Sequence, residues 1–315
     1  MTLTPKSTST AEENMLTPDQ SDSEASLFPL SISSIESICE NKTVKNIRYL
    51  TQSERVVLVE ILDYSPYFTL TDSHNNIKDC YLKVTLEYPG LVAPETFLLL
   101  RPIKKKTRGH TEEYDPITDL MRSINLMWEI YFTPDQRKLL GDDFMYCLER
   151  YERSQHAKGV SNLIEKFNDV IRKLKKEGAL SRNVRRTRYP SYELTCHILF
   201  QIYSRTVARR SHMLNVYQSF SDNVYGEIFP SLIDEFIKKT QINSNSVFMD
   251  LGCGIGNVVL QVAAQTGCKA YGIEIMETPC KLAKRQLKEY AARMRAWRLP
   301  TGRIRFHQVQ QQIMH

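Results

Sequence analysis

The sequence VFMDLGCGIGN, residues 247–257, joins a short apolar run to three glycines that lie two residues apart. Residues 258–264 then predict a helix, and residues 269–273 predict a second strand that ends on Glu274. Strand, glycine turn, helix, strand and acid in this order indicate one βαβ unit of a doubly wound α/β fold. In such a unit the ligand binds at the carboxyl ends of the strands, where the glycines and Glu274 fall.

The spacing of the glycines favours one class of nucleoside ligand. Glycine lets the backbone turn sharply and approach a ligand closely, and a carboxylate such as Glu274 can accept hydrogen bonds from both ribose hydroxyls. Dinucleotide enzymes usually carry G-x-G-x-x-G, whereas this chain has G-x-G-x-G preceded by Asp250. S-adenosylmethionine (AdoMet) has no pyrophosphate and carries a positive amino group, for which Asp250 is a counter-charge. AdoMet is therefore favoured over NAD, and a nicotinamide oxidoreductase is the disfavoured alternative.

Changes in composition along the chain predict four regions. Residues 1–28 are rich in Ser, Thr, Asp and Glu and predict a disordered acidic tail. Residues 29–115 predict a β-containing accessory module, with strand-like patterns at 56–62 and 80–88. The third and fourth regions are a helical region with a basic linker (116–212) and the N-terminal part of the AdoMet-binding catalytic domain (213–315).

The helical periodicity gives more local predictions. Ser161 is in a position to cap a helix that Gly178 ends, and Leu194, Ile198 and Ile202 mark the apolar face of another helix. Thr278 and Pro279 are predicted to open a helix whose apolar face carries Ala283, Leu287, Tyr290, Met294 and Trp297. Residues 303–307 alternate as a third strand would.

Charge and cysteine content narrow the class of protein. The 315 residues carry a net charge of +6, and no apolar run approaches the roughly 20 residues that a membrane helix needs. The N-terminus does not have the pattern of a secretory signal. Seven scattered cysteines without a CxxC pair fit a reducing compartment and predict no structural metal. Basic residues gather at 104–108, 172–188 and 281–298, which is typical of contact with a polyanion.

Two segments ahead of the glycine motif carry a family resemblance. Residues 214–220, LNVYQSF, and 224–227, VYGE, resemble the loop that precedes this motif in the disruptor-of-telomeric-silencing methyltransferases, which act on lysine-79 of histone H3. That family's glycine motif reads D-L-G-x-G-x-G followed by Asn or Gln, and Asn257 holds that place here. The sequence LQVAA at residues 260–264 continues the match.

The resemblance implies an α/β, AdoMet-dependent methyltransferase (Rossmann-like) fold, preceded by a helical segment and a small β-containing module. Phe220 would line a lysine channel, and Tyr225 would serve both this channel and the cofactor. The residues implied to bind AdoMet are Tyr225, Gly226, Glu227, Ile228, Phe248, Met249, Asp250, Leu251, Gly252, Cys253, Gly254, Ile255, Gly256, Asn257 and Glu274. The implied partner is the nucleosome, both histone H3 and the DNA backbone, the latter through residues 182–188, Arg209 and Arg210. The implied location is the nucleus, with residues 104–108 as a candidate import signal.

The end of the sequence departs from the family pattern. In the family the third strand runs into an acidic Gly-Asp-Phe segment, and an asparagine-rich motif follows later. Neither follows residues 303–307 here. We therefore expect an incomplete fold with little activity by itself, and the alternative function is a non-catalytic nucleosome-binding protein.

Overall fold

The computed structural model describes residues 52–59, 61–68, 70–71, 77–78, 82–90, 92–103, 113–184, 189–214 and 227–309. The N-terminal elements are α1 (Ser53–Val59), β1 (Tyr64–Pro66), β2 (Leu70–Thr71), β3 (Ile77–Lys78), β4 (Leu82–Leu86) and β5 (Glu95–Pro102). The helices that follow are α2 (Pro116–Tyr131), α3 (Pro134–Arg137), α4 (Phe144–Arg153), α5 (Ala157–Lys176), α6 (Ala179–Val184) and α7 (Tyr192–Thr206). The C-terminal elements are α8 (Pro230–Thr240), β6 (Val247–Leu251), α9 (Asn257–Thr266), β7 (Lys269–Glu274), α10 (Glu277–Ala296) and β8 (Ile304–Gln308).

Four predictions fall wholly or partly on residues that lie outside these ranges: the acidic tail at 1–28, the basic segment at 104–108, the basic stretch at 182–188 and the loop at 214–227. None of the helices described is long and apolar enough to cross a membrane.

The N-terminal strands form an antiparallel sheet in the order β1-β5-β4, and β2 pairs with β3 separately. The prediction of a strand within residues 80–88 is confirmed by β4, where Val84 and Leu86 are buried and Lys83 and Thr85 are exposed. This alternation places one face of β4 against the core and the other in water.

The prediction of a strand at residues 56–62 is wrong. This segment forms α1 and a 3-10 turn at Ile61–Asp63. Val56 and Val57 are buried in a small apolar cluster with Leu98 and Leu100 of β5. The β-branched valines favour a strand locally, but burial against β5 overrides that weak preference.

Two predicted helix starts are also corrected. Helix α5 begins at Ala157 rather than after Ser161, because His156 caps it by accepting a hydrogen bond from the backbone N–H of Gly159 (3.0 Å). Helix α10 begins at Glu277, so Thr278 lies inside the helix instead of capping it. The predicted stop at Gly178 is confirmed, since this residue follows α5 with a φ of 66°.

The C-terminal part contains a parallel sheet in the order β6-β7-β8. Helix α9 follows β6 and packs against β6 and β7, and α10 follows β7 and packs against β7 and β8. Both predicted strands of the βαβ unit and the third strand are confirmed as β6, β7 and β8. The carboxyl ends of β6 and β7 meet at one edge, since Leu251 pairs with Ile273.

The main hydrophobic core extends from the N-terminal strands to β8, and two smaller clusters lie outside it. It includes Phe68 and Phe97 from the N-terminal strands, Phe167 from α5 and Phe306 from β8. Trp297, just after α10, is fully buried and meets Tyr88 edge-on, with 5.2 Å between the ring centres. The boundaries predicted at residues 115 and 212 stay predictions, and the core crosses both.

A buried network of charges joins β5, α2, α7 and α10. Arg205 of α7 donates to Glu95 of β5 (2.6 Å) and to Asp119 of α2 (2.9 Å). Arg293 of α10 donates to Glu95 and, through Nε, to Glu289 (2.9 Å). Burial raises the pKa of Glu95, but Arg205 and Arg293 outweigh that effect and leave the pKa below its ordinary value.

His197 and Asp119 make the stability of the fold depend on pH. Burial lowers the pKa of His197 to about 4 from an ordinary value of 6.5. Burial raises the pKa of Asp119, but Arg205 and then His197 oppose it and bring the value to about 2. Unfolding therefore takes up protons over this acid range, and stability rises with pH across it.

We predict that acidification from pH 6.5 to pH 4 lowers the free energy of unfolding by about 3 kcal/mol through His197. The stability is complete above pH 6.5 and is lost as the pH falls toward the folded-state pKa. Guanidinium denaturation at stepped pH values measures this effect. His197→Gln should flatten the slope in this range, and His212→Gln, which changes an exposed histidine, should not.

Candidate functional site

The glycine turn lies at the carboxyl end of β6 and has a backbone that favours glycine. Gly252, Gly254 and Gly256 have φ values of 83°, 54° and 88°. These left-handed conformations are strained for residues that carry a Cβ atom. Gly256 is the N-cap residue directly before α9, so the turn leads into the unpaired backbone N–H groups of the first helical turn.

Glu274, at the end of β7, stabilises the glycine turn through hydrogen bonds. Its carboxylate accepts hydrogen bonds from the backbone N–H of Gly254 (2.7 Å) and of Met276 (2.8 Å). The side chain is buried, with 8% of the residue exposed. A carboxylate offers about four acceptor positions. Glu274 can therefore hold the turn and still accept hydrogen bonds from a ligand.

Asp250 lies on the neighbouring strand and shares this site. Burial raises the pKa of Asp250, and the nearby charge of Glu274 raises it further. Two carboxylates that repel each other at the end of a sheet form an anionic cradle. Such a cradle is suited to a cationic ligand group and unfavourable for a pyrophosphate.

Gly252 and Gly256 have different roles in the structure. A Cβ atom at Gly252 would have no heavy atom within 4 Å, so this backbone faces open space that a ligand can use. A Cβ atom at Gly256 would lie 2.4 Å from the ring of Phe306 in β8. Both glycines were predicted to let a ligand approach closely, but Gly256 makes room for the side chain of Phe306.

We predict that Gly256→Ala destabilises the protein strongly and Gly252→Ala only mildly. Both positions have a positive φ, which costs a residue with Cβ about 1–2 kcal/mol. Gly256→Ala adds overpacking against Phe306, which costs about a further 1–3 kcal/mol. Thermal denaturation of the two variants measures the difference. Equal melting temperatures of the two variants would contradict the role of Gly256 in making room for Phe306.

Gln286 of α10 is a further residue of the site that the sequence reasoning missed. Its Nε2 donates to the backbone oxygen of Ile255 (2.7 Å) and to the side-chain oxygen of Asn257 (2.9 Å). It therefore ties α10 to the glycine turn. A signal existed in the sequence, because Gln286 follows Ala283 by three residues and precedes Tyr290 by four, on the same helix face.

The structure brings some of the remaining candidates to the site and leaves others away from it. Phe248 is half-buried and packs against the core, whereas Met249 and Leu251 are 55% and 74% exposed. The strand alternation puts these two on the face opposite Asp250. Cys253 and Ile255 are buried within the turn.

The segment ahead of α8 reaches the site in part. Glu227 and Ile228 are exposed. Burial raises the pKa of Tyr203, and the charge of Glu227 raises it further. Tyr203 packs in the cluster that contains Ile255, so the charge of Glu227 acts on a residue beside the glycine turn. The candidates Phe220, Tyr225 and Gly226 lie outside the described residues.

No group of three or more His, Cys, Asp or Glu side chains in the described ranges could hold a metal ion.

Comparison with known proteins places the site in a family. Residues 203–314 match the family model described as "Histone methylation protein DOT1". The chain is 34% identical over 224 residues to a protein of Chaetomium globosum. The aligned residues cover 70% of this chain and 42% of that protein. The chain is 33% identical over 224 residues to a protein of Aspergillus fumigatus, with 70% and 43% covered. Both carry the name "Histone-lysine N-methyltransferase, H3 lysine-79 specific".

The chain spans less than half the length of these two curated relatives. A solved RNA methyltransferase from Salinibacter ruber, in complex with S-adenosyl-L-homocysteine, is 25% identical with a TM-score of 0.23, over 27% of this chain and 50% of that one. The segment that matches the family model, residues 203–314, includes β6, β7, the glycine turn and Glu274. This segment therefore carries the similarity of the chain to the DOT1 family of histone methylation proteins.

Proposed function

We propose that the site binds AdoMet and that the chain takes part in methyl transfer to lysine-79 of histone H3 in the nucleosome. The observation that carries the cofactor assignment is the anionic cradle of Asp250 and Glu274 beside an open glycine turn. AdoMet carries a positive amino group and a positive sulfonium and has no pyrophosphate. The names of the fungal relatives support the substrate assignment.

Each part of the cradle has a role toward the cofactor in this proposal. Glu274 accepts hydrogen bonds from the ribose hydroxyls, and Asp250 pairs with the amino group. The exposed backbone at Gly252 lets the cofactor approach closely. Tyr225, Gly226 and Glu227 cover it, as the family resemblance implies.

The cofactor supplies an activated methyl group, and the protein supplies position and a dry environment. A lysine side chain attacks only as the neutral amine, and with an ordinary pKa near 10.4 that form costs roughly 4 kcal/mol at neutral pH. An apolar channel lined by Phe220 and Tyr225 lowers the lysine pKa because it disfavours the ammonium form. Alignment of the two bound reactants supplies much of the remaining acceleration.

The partners and location follow from this substrate. A nucleosome presents both histone H3 and a DNA backbone, and the positive net charge of the chain favours association with such a polyanion. The proposed location is the nucleus, where nucleosomes are found.

Calorimetry on the 315-residue chain with AdoMet and, in parallel, with NAD tests the cofactor assignment. We expect heat of binding with AdoMet and none with NAD. The Asp250→Asn variant should bind AdoMet more weakly, because it removes one counter-charge. No heat with AdoMet would contradict the proposal. Labelled AdoMet with nucleosomes then tests catalysis: nucleosome binding without methyl transfer would support the non-catalytic alternative.

A further inference from the structure

Two of the basic clusters of the sequence lie on helices of the structure, one on α5 and one on α10. On α5, Arg172 pairs with Glu165 (2.6 Å) and Asp169 (2.7 Å), and Lys175 pairs with Glu87 (2.6 Å). These cations therefore form ion pairs within the fold. Their charge is largely satisfied by neighbouring carboxylates.

Helix α10 presents a different arrangement. It carries six Lys or Arg side chains against two carboxylates, and Glu289 is buried with Arg293. The other five cations are Lys281, Lys284, Arg285, Lys288 and Arg295, of which all but the half-buried Arg285 are exposed. At 100° per residue they share an arc of roughly 100° on the helix and extend over about 21 Å. We call these five residues the α10 stripe.

Glu277 is the acid of α10 that lies on this stripe, and it pairs with Lys281 at 2.5 Å. At the same end of the helix, the 3-10 turn Ala208–Leu214 packs against α10. Burial lowers the pKa of Arg210, and the positive charges of Arg285 and Arg209 lower it further. The fold therefore brings cations together here, although like charges repel.

We propose that the α10 stripe, together with Arg209 and Arg210, is a docking surface for the phosphate backbone of duplex DNA. Crowded cations are stabilised when a polyanion binds, and counterion release from DNA favours such binding. A straight row of cations suits a linear polyanion, because duplex DNA carries one charge per about 1.7 Å of axis. A compact acidic patch on a protein would meet only part of a row about 21 Å long.

The surface lies beside the candidate site. Leu282 on α10 packs with Ile255 of the glycine turn and with Leu214 at the end of the 3-10 turn. DNA held on the stripe is thus close to the anionic cradle. The inference rests on the proposed function only for the source of the DNA, which would be the nucleosome.

Fluorescence anisotropy of a labelled 20-base-pair duplex with the 315-residue chain tests the surface. The test variant is Lys284→Gln/Arg285→Gln/Lys288→Gln. The control is Lys158→Gln/Lys173→Gln/Lys176→Gln, which removes the same charge from exposed positions on α5. Circular dichroism checks that both variants are folded. Neither histone nor AdoMet is present, so a failure here is distinct from a failure of methyl transfer or cofactor binding.

We expect the test variant to lose at least about 30-fold in affinity near 0.1 M salt. The slope of log affinity against log salt should become shallower by about 2–3, since each phosphate contact contributes about 0.9. The control should lose less than about threefold. Equal losses in both variants, a wild-type chain that does not bind the duplex, or tighter binding of labelled polyglutamate than of duplex would each overturn the proposal.

Discussion

Glu95→Gln is expected to lower the free energy of unfolding by about 3–5 kcal/mol. Glu95 contacts both Arg205 and Arg293, and all three side chains are almost fully buried. Glutamine keeps the shape but removes the negative charge between two buried guanidinium groups. A domain is stable by only about 5–15 kcal/mol, so a loss of this size is a large fraction of the total.

Guanidinium denaturation at pH 7 measures this effect, and Glu149→Gln is the matched control. Glu149 makes the same type of pair with Arg153 (3.1 Å), but the two side chains are 49% and 76% exposed. Exposed pairs contribute about 0–1 kcal/mol. If Glu95→Gln were as stable as the control, the buried network would not stabilise the packing of β5 against α7 and α10.

Glu274→Ala is expected to weaken AdoMet binding by at least about 100-fold. The reason is the proposed pair of hydrogen bonds from ribose hydroxyls to this carboxylate, each of which contributes about 1.5–3 kcal/mol because the acceptor is charged. The same change leaves the backbone N–H groups of Gly254 and Met276 without their acceptor. The variant therefore also loses about 1–3 kcal/mol of stability.

Calorimetry at low temperature, where the variant remains folded, separates the two effects. Glu277→Ala is the matched control, since this glutamate is three residues further along and 64% exposed. It should bind AdoMet as the unchanged chain does. If Glu274→Ala bound AdoMet within threefold of the unchanged chain, the role of Glu274 in cofactor binding would be wrong.

Much of the C-terminal half could be predicted because its signals are local. The apolar run before Asp250 becomes β6, and the run before Glu274 becomes β7. Only glycine readily adopts the backbone of the turn between β6 and α9. Since the topology of a βαβ unit is constrained, these local signals also placed Asp250 and Glu274 at the same edge.

The N-terminal half was predicted less well because its segments depend on distant neighbours. Residues 56–62 form a helix since Val56 and Val57 are buried against β5, some 40 residues later in the sequence. The start of α5 depends on the side chain of His156, which is a less usual cap than Ser161 would be. Local propensity is a weak prior, and tertiary packing overrides it.

The sequence by itself determined the strand order of the βαβ unit, its glycine turn and its two acids, because these follow from backbone geometry over a few residues. Only the tertiary structure decided that Gly256 makes room for Phe306, that Gln286 ties α10 to the turn, and that the N-terminal strands share one core with the sheet. It also brought Arg172 of α5 to two carboxylates, and Arg285 of α10 close to Arg209 and Arg210. These properties depend on contacts between residues far apart in the chain, which no local pattern encodes.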